Sequence, residues 1–329
     1  MGSRLSLEDI LKAYGVFRNV FSALFEFKVL GSDRVEVTCR DGYSFTTDYG
    51  TFRELLFLVG GGEIKGCQRG ALLFREPDGI WAVPLSEVEV ADGGLRTVTL
   101  GLGHGWRYNI ERGYWWKGPR FRHLHWGVLE TFDLGQYSRI DVRGRQVIDV
   151  GAYVGDSPIY FALRGASRVV AVEPNPRAFL EMVDNLALNH LEEAVTPLNV
   201  GVSYSGQSVK VSSSGVTGGE WAVASEGGSV PARTLAQLVR ETGVRTDVLK
   251  MDCEGCEYDV ILRDTDIVAR FERLVFEYHA YNVGLPPEAL LERLRPHFSC
   301  ELINSDLYAR YFNDWRPSLI GMYYCVSRR

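Results

Sequence analysis

Acidic side chains follow several apolar segments of this sequence, and the first of them precedes a turn rich in glycine. Asp149 lies in the apolar run at 147–150, and Glu173 closes a second apolar run. Gly151 and Gly155 bound the turn between them, where glycine lets the backbone approach a ligand closely. Glu173 lies 22 residues after Gly151, near the spacing of about 20 that is typical of ribose-binding acids. The pattern predicts a nucleotide site.

The turn indicates which nucleotide would bind. It reads Gly151-Ala152-Tyr153-Val154-Gly155-Asp156, without the middle glycine of a dinucleotide-binding GxGxxG motif and with an acid at its end. A second negative charge near Asp149 would repel a pyrophosphate, whereas it suits a ligand with an ammonium and a sulfonium. We therefore predict S-adenosylmethionine as the cofactor. The expected contacts are Asp149, Gly151, Tyr153, Gly155, Asp156, Glu173 and, as argued below, Asn199 and Asp252.

Strands alternate with helices over residues 136–329, which predicts a doubly wound, Rossmann-like α/β domain. Two late segments, 298–303 and 319–326, can form an antiparallel pair that closes the sheet. Ligands of such sheets collect beyond the carboxyl ends of the strands. The residues at these ends are all acidic, and placing them together is costly unless a cation or hydrogen-bond donors meet them. They are Asp149, Glu173, Asp252 and Glu277.

Three segments resemble, in order and spacing, the motifs of the FkbM family of class I methyltransferases. They are DVGAYVGDS at 149–157, AVEPNPRAFLEMVDNLALN at 171–189 and VLKMDCEGCEYDVI at 248–261. The resemblance covers roughly residues 137–278 and implies a class I methyltransferase sheet. Tyr153 departs from the family, in which many members carry Asn. The resemblance also implies that Asn199 lies beside the adenine, although capping a turn is an equal alternative.

The resemblance implies an O-methyltransferase that moves a methyl group to a hydroxyl of a glycan, glycolipid or other small molecule. Because such a hydroxyl is a weak acid, a base or a metal should assist the transfer. His279 has a suitable intrinsic pKa, with a structural role as its alternative. Asp252 and Glu254 compete with it, since the family motif places them near the transferable methyl. In a second version, Asp252, Glu254 and Glu277 hold Mg²⁺.

The amino-terminal part, residues 1–105, predicts a smaller α+β domain without a chemical motif. A helix is expected over 6–30, hairpins over 35–47 and 71–83, and a helix over 51–59.

Residues 106–135 are expected to form an aromatic and basic connector. Its segment 106–126 holds four of the seven tryptophans, and five Lys or Arg against one acid. These rings could stack on sugars or bases, or they could pack between domains.

Two other functions remain open at this point. The first is an RNA methyltransferase that uses the segment 106–126, although the net charge of −6 provides no basic field for nucleic acid. The second is a non-catalytic module that binds S-adenosylmethionine, because fold does not determine function.

A Ser- and Gly-rich segment, 203–229, is either a solvated excursion or a flap anchored by Trp221. The sequence does not decide whether the chain forms a homo-oligomer.

Six cysteines are scattered along the chain, and no signal-peptide pattern is present. We therefore expect reduced thiols in a cytoplasmic enzyme. No apolar run approaches the length of about 18 residues that marks a membrane span. Cys253 and Cys256 form a CxxC pair, but no second pair or nearby His completes a zinc site. We expect these two cysteines to serve in packing.

Overall fold

The computed structural model describes residues 5–211, 222–224, 228–311 and 315–329. The chain divides into two compact units, Met1–Trp126 and Gly127–Arg329. The predicted flap anchor, Trp221, lies outside the described residues. In the described part, no helix is both long enough and apolar enough to cross a lipid bilayer.

The first unit is a small α+β unit, as predicted. The predicted helix at 6–30 is two helices, and the first begins at a capping box formed by Ser6 and Asp9. Both predicted hairpins are confirmed, and β3 extends the second one to three strands. The elements are α1 (Leu7–Tyr14), α2 (Val20–Lys28), β1 (Arg34–Thr38), β2 (Ser44–Asp48), α3 (Tyr49–Gly61), β3 (Ile64–Gln68), β4 (Ala71–Glu76), β5 (Gly79–Pro84), α4 (Leu85–Val90), α5 (Gly94–Gly103), β6 (Arg107–Asn109), β7 (Tyr114–Trp116) and β8 (Arg120–Phe121).

The aromatic and basic segment 106–126 forms the three-stranded sheet β6-β7-β8 within this first unit. Trp106, Trp115 and Phe121 are fully buried in it. Arg107 is also buried, and its guanidinium donates two hydrogen bonds to the carboxylate of Asp78. These rings and this charge are therefore used in folding and are not presented to a base or a sugar.

The second unit contains a seven-stranded sheet with the order β11-β10-β9-β16-β17-β19-β18. Of the seven strands, β19 alone runs opposite to the other six, and its pairing with β18 confirms the predicted closing pair. The elements are α6 (Trp126–Phe132), β9 (Gln146–Val150), α7 (Asp156–Leu163), β10 (Arg168–Val172), α8 (Pro176–Leu188), β11 (Val195–Leu198), β12 (Gly201–Val202), β13 (Val209–Val211), β14 (Ala222–Ala224), β15 (Ala232–Arg233), α9 (Leu235–Thr242), β16 (Val248–Met251), α10 (Cys256–Arg263), α11 (Thr265–Val268), β17 (Arg273–His279), α12 (Ala280–Val283), α13 (Glu288–Leu294), β18 (Phe298–Ile303), α14 (Ser305–Tyr311) and β19 (Ile320–Ser327).

The central strands of this sheet are buried because helices cover them. Ile148, Val170 and Leu249 contribute to one apolar core with Leu238 of α9 and Ile261 of α10. Continuous apolar runs are typical of parallel strands that are covered on both faces. The chain order reverses at β9, which lies between β10 and β16. Beyond the carboxyl ends of these strands is the position at which doubly wound sheets bind ligands.

The cysteines correct one prediction, since the structure joins all six in disulfides and not as reduced thiols. The pairs are Cys39–Cys67, Cys253–Cys256 and Cys300–Cys325. Cys300 and Cys325 are register partners on β18 and β19, so strand pairing brings their sulfur atoms together. The linear sequence shows no such proximity for residues that are 25 or 28 positions apart.

Candidate active site

The acid on β9 is paired with a buried lysine of the next strand. Nζ of Lys250 lies 2.9 Å from Oδ1 of Asp149, and the two residues are register partners. Ser157, in the first turn of α7, donates a hydrogen bond to Oδ2 of Asp149 at 2.7 Å. The Lys250 ammonium also donates to the carbonyl oxygen of Gly151 at 2.6 Å. Asp149 and Lys250 therefore hold the start of the glycine turn in place.

Gly151 is required because another segment of backbone lies against it. Its φ of +80° lies in the left-handed region, and an added Cβ would lie 1.7 Å from the carbonyl oxygen of Asp252. The turn after β9 and the turn after β16 are thus packed against each other. Gly155 also has a positive φ, and it packs against Met182 of α8.

Glu173 follows β10 and is oriented by backbone N–H groups. The amide of Tyr153 donates to Oε2 at 2.8 Å, and the amide of Asn175 donates to Oε1 at 2.7 Å. Tyr153 takes a left-handed conformation with φ of +47°, which directs its N–H at this carboxylate. The side-chain amide of Asn199 donates to the carbonyl oxygens of Glu173 and Pro174. The structure thus brings Tyr153, Glu173 and Asn199 together, and the side chain of Asn199 joins the loop after β11 to the loop after β10.

Asp156, at the first position of α7, is held from the preceding helix. Oγ1 of Thr131 donates to Oδ2 of Asp156 at 2.7 Å, and both residues are buried. Burial raises the pKa of Asp156 to about 6, against the opposing effects of Thr131 and Lys250. At neutral pH this carboxyl is largely ionised and available to an ammonium group.

His279, at the end of β17, lies at the centre of a cluster of carboxylates. Its side chain is only 1% exposed. Nδ1 lies 3.1 Å from Oε1 of Glu257, whose same oxygen accepts the backbone N–H of His279 at 2.9 Å. Nε2 faces three further carboxylates, of Glu277 at 3.3 Å, Glu254 at 3.5 Å and Asp252 at 3.9 Å. One imidazole therefore meets four acids.

These surroundings determine the charge of His279. Burial by itself would lower the pKa of the imidazole, but the charge and hydrogen bond of Glu257, with Glu277 and Glu254, raise it well above its usual value. His279 is therefore a cation at neutral pH. A protonated imidazole has no lone pair with which to accept a proton, so its position does not favour the general-base role predicted for it.

Asp252 has the better properties for a base. It follows β16, and the hydroxyl of Tyr137 donates to its Oδ2 at 3.2 Å. Burial, together with the charge of Glu277 and a hydrogen bond to it, raises the pKa of Asp252 to about 7 despite the nearby Lys250 and His279. Glu277 accepts a hydrogen bond from the hydroxyl of the buried Tyr308 of α14. Asp252 can thus both hold and release a proton near neutral pH.

Glu254 is placed beside the cluster by an unusual turn. Its φ of +57° is in the left-handed region, and Gly255 follows with φ of +121°. Oε2 of Glu254 accepts hydrogen bonds from the Tyr281 hydroxyl and the Asn282 side-chain amide, each at 3.1 Å. Burial raises the pKa of Glu254, although the positive charge of His279 opposes this.

The alternative prediction places Mg²⁺ among Asp252, Glu254 and Glu277. Asp252, Glu277 and His279 offer ligand atoms that all lie within 4.8 Å of one another. However, Mg²⁺ prefers oxygen ligands, and a protonated imidazole cannot coordinate a metal. The proton on His279 already supplies positive charge among the carboxylates, and Tyr281 and Asn282 occupy an oxygen of Glu254. The three residues within 4.8 Å of one another therefore differ from the predicted set by His279, which cannot be a metal ligand while it is protonated.

Several site residues escape the sequence patterns. Lys250 lies within an otherwise apolar strand. Because a buried lysine needs an acidic partner, its position there could have predicted an ion pair. Tyr137 and Tyr308 gave no signal, because each is far in sequence from the acid that it contacts. Glu257 also gave no such signal, yet its Oε1 accepts the backbone N–H of His279 and lies 3.1 Å from Nδ1 of the imidazole.

The match to one protein family agrees with this geometry. The sequence model of the methyltransferase FkbM domain matches residues 149–312. No curated protein sequence matches the chain significantly. Similar solved structures include a Streptococcus mutans protein provisionally described as a methyltransferase and solved with SAH (S-adenosylhomocysteine), which is 12% identical with a TM-score of 0.37. The match covers 58% of this chain and 92% of that one.

Two further solved structures are an rRNA methylase from Streptococcus thermophilus and a precorrin-6y C5,15-methyltransferase from Geobacter metallireducens. Each is 12% identical, with TM-scores of 0.37 and 0.33. The first match covers 58% of this chain and 91% of the other, and the second covers 57% and 83%. Such low scores carry no argument about the substrate. Sheet order, motifs and the domain match agree, and they identify residues 149–312 as a methyltransferase FkbM domain.

Proposed function

We propose that this chain is an S-adenosylmethionine-dependent O-methyltransferase whose acceptor is a hydroxyl of a glycan, glycolipid or other small molecule. The observation that carries this proposal is the packing of the glycine turn after β9 against the Asp252 turn after β16, at the reversal of strand order. A cofactor seated in the first turn would lie beside the candidate base in the second. When bound, S-adenosylmethionine would supply a methyl group activated by its sulfonium.

On the cofactor side, Glu173 is prepared to accept hydrogen bonds. The N–H groups of Tyr153 and Asn175 fix its two oxygens, and each carboxylate oxygen can accept more than one hydrogen bond. Two oxygens held side by side match the two adjacent hydroxyls of a ribose. Asp156 offers a negative charge at the same turn, which suits an ammonium group.

On the acceptor side, Asp252 is the base that we propose. Transfer would require the acceptor oxygen to lie in line behind the methyl carbon and to lose its proton as the C–O bond forms and the methyl–sulfur bond breaks, with S-adenosylhomocysteine as the leaving group. Asp252 accepts this proton, since its pKa of about 7 lies near the operating pH of most enzymes. Tyr137 orients the carboxyl, and the His279 cation, anchored by Glu257, limits the repulsion between Asp252 and Glu277.

The charge of the cluster supports a neutral acceptor. Asp252, Glu254, Glu257 and Glu277 outnumber the two cations that face them, His279 and Lys250. A phosphate-rich acceptor would be repelled there, whereas a polyhydroxylated one can donate hydrogen bonds to carboxylates. The RNA alternative is also weakened by the burial of Trp106, Trp115 and Arg107 in the segment that was expected to bind it.

Calorimetry with purified protein tests the cofactor half of this proposal. Wild type should bind S-adenosylmethionine and S-adenosylhomocysteine, and Glu173→Gln should lose about 10- to 100-fold in affinity, since a hydrogen bond to a charged group contributes about 1.5–3 kcal/mol. Glu193→Gln, at an exposed position in the same unit, is the matched control. Absence of binding to either compound by wild type, or indifference to Glu173→Gln, would overturn the proposal.

A further inference from the structure

The disulfide between Cys253 and Cys256 lies inside the turn that carries the candidate base. Asp252 precedes it, and Glu257, the partner of His279, follows it. The two residues that it encloses, Glu254 and Gly255, have φ values of +57° and +121°. A cross-link over this turn therefore restrains the left-handed conformation of Glu254, which residues other than glycine rarely adopt.

This disulfide differs from the other two in burial and in span. Cys39, Cys67 and Cys325 are buried and Cys300 is partly exposed, whereas in this disulfide both cysteines are partly exposed. Its cysteines are only 3 residues apart, against 28 and 25 for the other pairs. A disulfide that closes so short a loop restricts the unfolded chain least, so its contribution to global stability should be the smallest of the three.

Its surroundings suit thiol chemistry. Cys256 is the first residue of α10, and a helix N-terminus favours a thiolate, which is the reactive form of cysteine. Sγ of Cys253 lies 3.3 Å from Oε2 of Glu257. If the bond is reduced, the new S–H of Cys253 can donate to the carboxylate that orients His279 through its other oxygen. The oxidation state of the pair is thus connected to the centre of the site by direct contacts.

We propose that Cys253 and Cys256 form a reversible redox site that sets the conformation of the 252–257 turn and thereby the affinity of the active site. In reduction, a dithiol or two monothiols attack the disulfide, the S–S bond breaks, and two protein thiols form as the reductant becomes a disulfide. In the oxidised form, the disulfide keeps the 252–257 turn in the conformation that binds ligand. In the reduced form, the turn is no longer restrained to that conformation. The ligand part rests on the function proposed above.

To test this proposal, the full chain is treated with a limiting amount of dithiothreitol. The thiols that form are alkylated, and mass spectrometry identifies which cysteines carry the label. Cys253 and Cys256 should be alkylated before the other four cysteines. Hydrogen exchange in peptides covering 252–263 should become faster on reduction, because the Gly255 N–H bond to Glu257 loosens. Calorimetry with S-adenosylhomocysteine should show affinity about fivefold weaker or more in the reduced form.

A matched pair of variants separates this site from general effects of reduction. Cys253→Ser with Cys256→Ser should behave as the reduced form whether or not dithiothreitol is present. Cys300→Ser with Cys325→Ser should keep the redox response of the wild type. The inference would be overturned if hydrogen exchange and the affinity for S-adenosylhomocysteine were equal in both redox states. It would also be overturned if Cys253 and Cys256 were reduced only after the other two disulfides. If neither state binds the probe, the proposed function fails, and hydrogen exchange alone decides the redox site.

Discussion

Lys250 and Asp149 form a buried ion pair between register partners of two neighbouring parallel strands, with 2.9 Å between Nζ and Oδ1. The same ammonium binds the carbonyl oxygen of Gly151. One lysine therefore joins the strand that carries the glycine turn to the strand that carries Asp252. Burial would lower the pKa of this lysine, but Asp149, Asp252 and Asp156 together raise it, so the ammonium stays charged.

Replacing Lys250 by Met should destabilise the protein strongly, because it leaves the carboxylate of Asp149 buried without its cation. Loss of one partner of a buried pair costs about 3–5 kcal/mol in the free energy of unfolding. Urea denaturation monitored by circular dichroism measures this cost. Arg240→Met is the control, since its ion pair with Glu241 is exposed and its loss should change stability by no more than about 0.5 kcal/mol. Equal stabilities for the two variants would contradict the role given to Lys250.

The pKa of Asp252 predicts a particular dependence of stability on pH. Its pKa is raised from 3.8 to about 7 in the folded protein, so folding favours the protonated carboxyl. This contribution to stability is fully present below about pH 3.8 and is lost as the pH rises through about 7. The groups facing this carboxyl are Tyr137, Lys250, Glu277 and His279.

Asp252→Asn should remove this dependence, because an amide does not ionise. The variant should therefore gain stability relative to wild type as the pH rises from about 4 to about 7. Denaturation curves at intervals across this window measure the difference. A difference that is constant with pH, or that falls as pH rises, would show that Asp252 is not held protonated by its surroundings.

Tyr308→Phe should weaken the cluster by removing the hydroxyl that donates to Glu277. A buried carboxylate left without this donor should cost about 1–3 kcal/mol in stability. Thermal and urea denaturation provide the measurement, with Tyr204→Phe at an exposed position as the control. If Tyr308→Phe were as stable as wild type, the contact between Tyr308 and Glu277 would contribute nothing.

Methyl transfer should proceed without a divalent metal, because the proton on His279 supplies the positive charge among the carboxylates. Transfer of isotopically labelled methyl to an active extract fraction should therefore be unchanged within about twofold when EDTA is added. Loss of transfer in EDTA, followed by recovery with added Mg²⁺, would show instead that a metal assists Asp252, Glu254 and Glu277.

The sheet could be predicted from the sequence because its determinants are local. Apolar runs such as 147–150 and 248–251 are bounded by turn residues, and the closing pair β18–β19 follows from two late strands. The candidate acids could be predicted for the same reason, since each lies at or next to the end of a strand. The single helix predicted at 6–30 is two helices in the structure, because Gly15 and the residues after it interrupt the helical backbone.

The relations between these acids depend on contacts that sequence spacing does not reveal. The pairing of Lys250 with Asp149 requires the register of β16 on β9. The charge of His279 requires four carboxylates from the β16 turn, α10 and β17 to meet one ring. A histidine chosen for its intrinsic pKa thus becomes a cation, and we propose as the base Asp252, whose pKa is raised.

The most direct test of the central claim is transfer of labelled methyl from S-adenosylmethionine to fractionated cell extracts by wild type and by Asp252→Asn. Wild type should label a hydroxyl-bearing product in at least one fraction. Asp252→Asn should transfer about 10²- to 10⁴-fold more slowly, the usual contribution of a general base, while it binds S-adenosylhomocysteine within about threefold of wild type. Transfer by Asp252→Asn at the wild-type rate, or no labelled product from wild type with any fraction, would contradict the account.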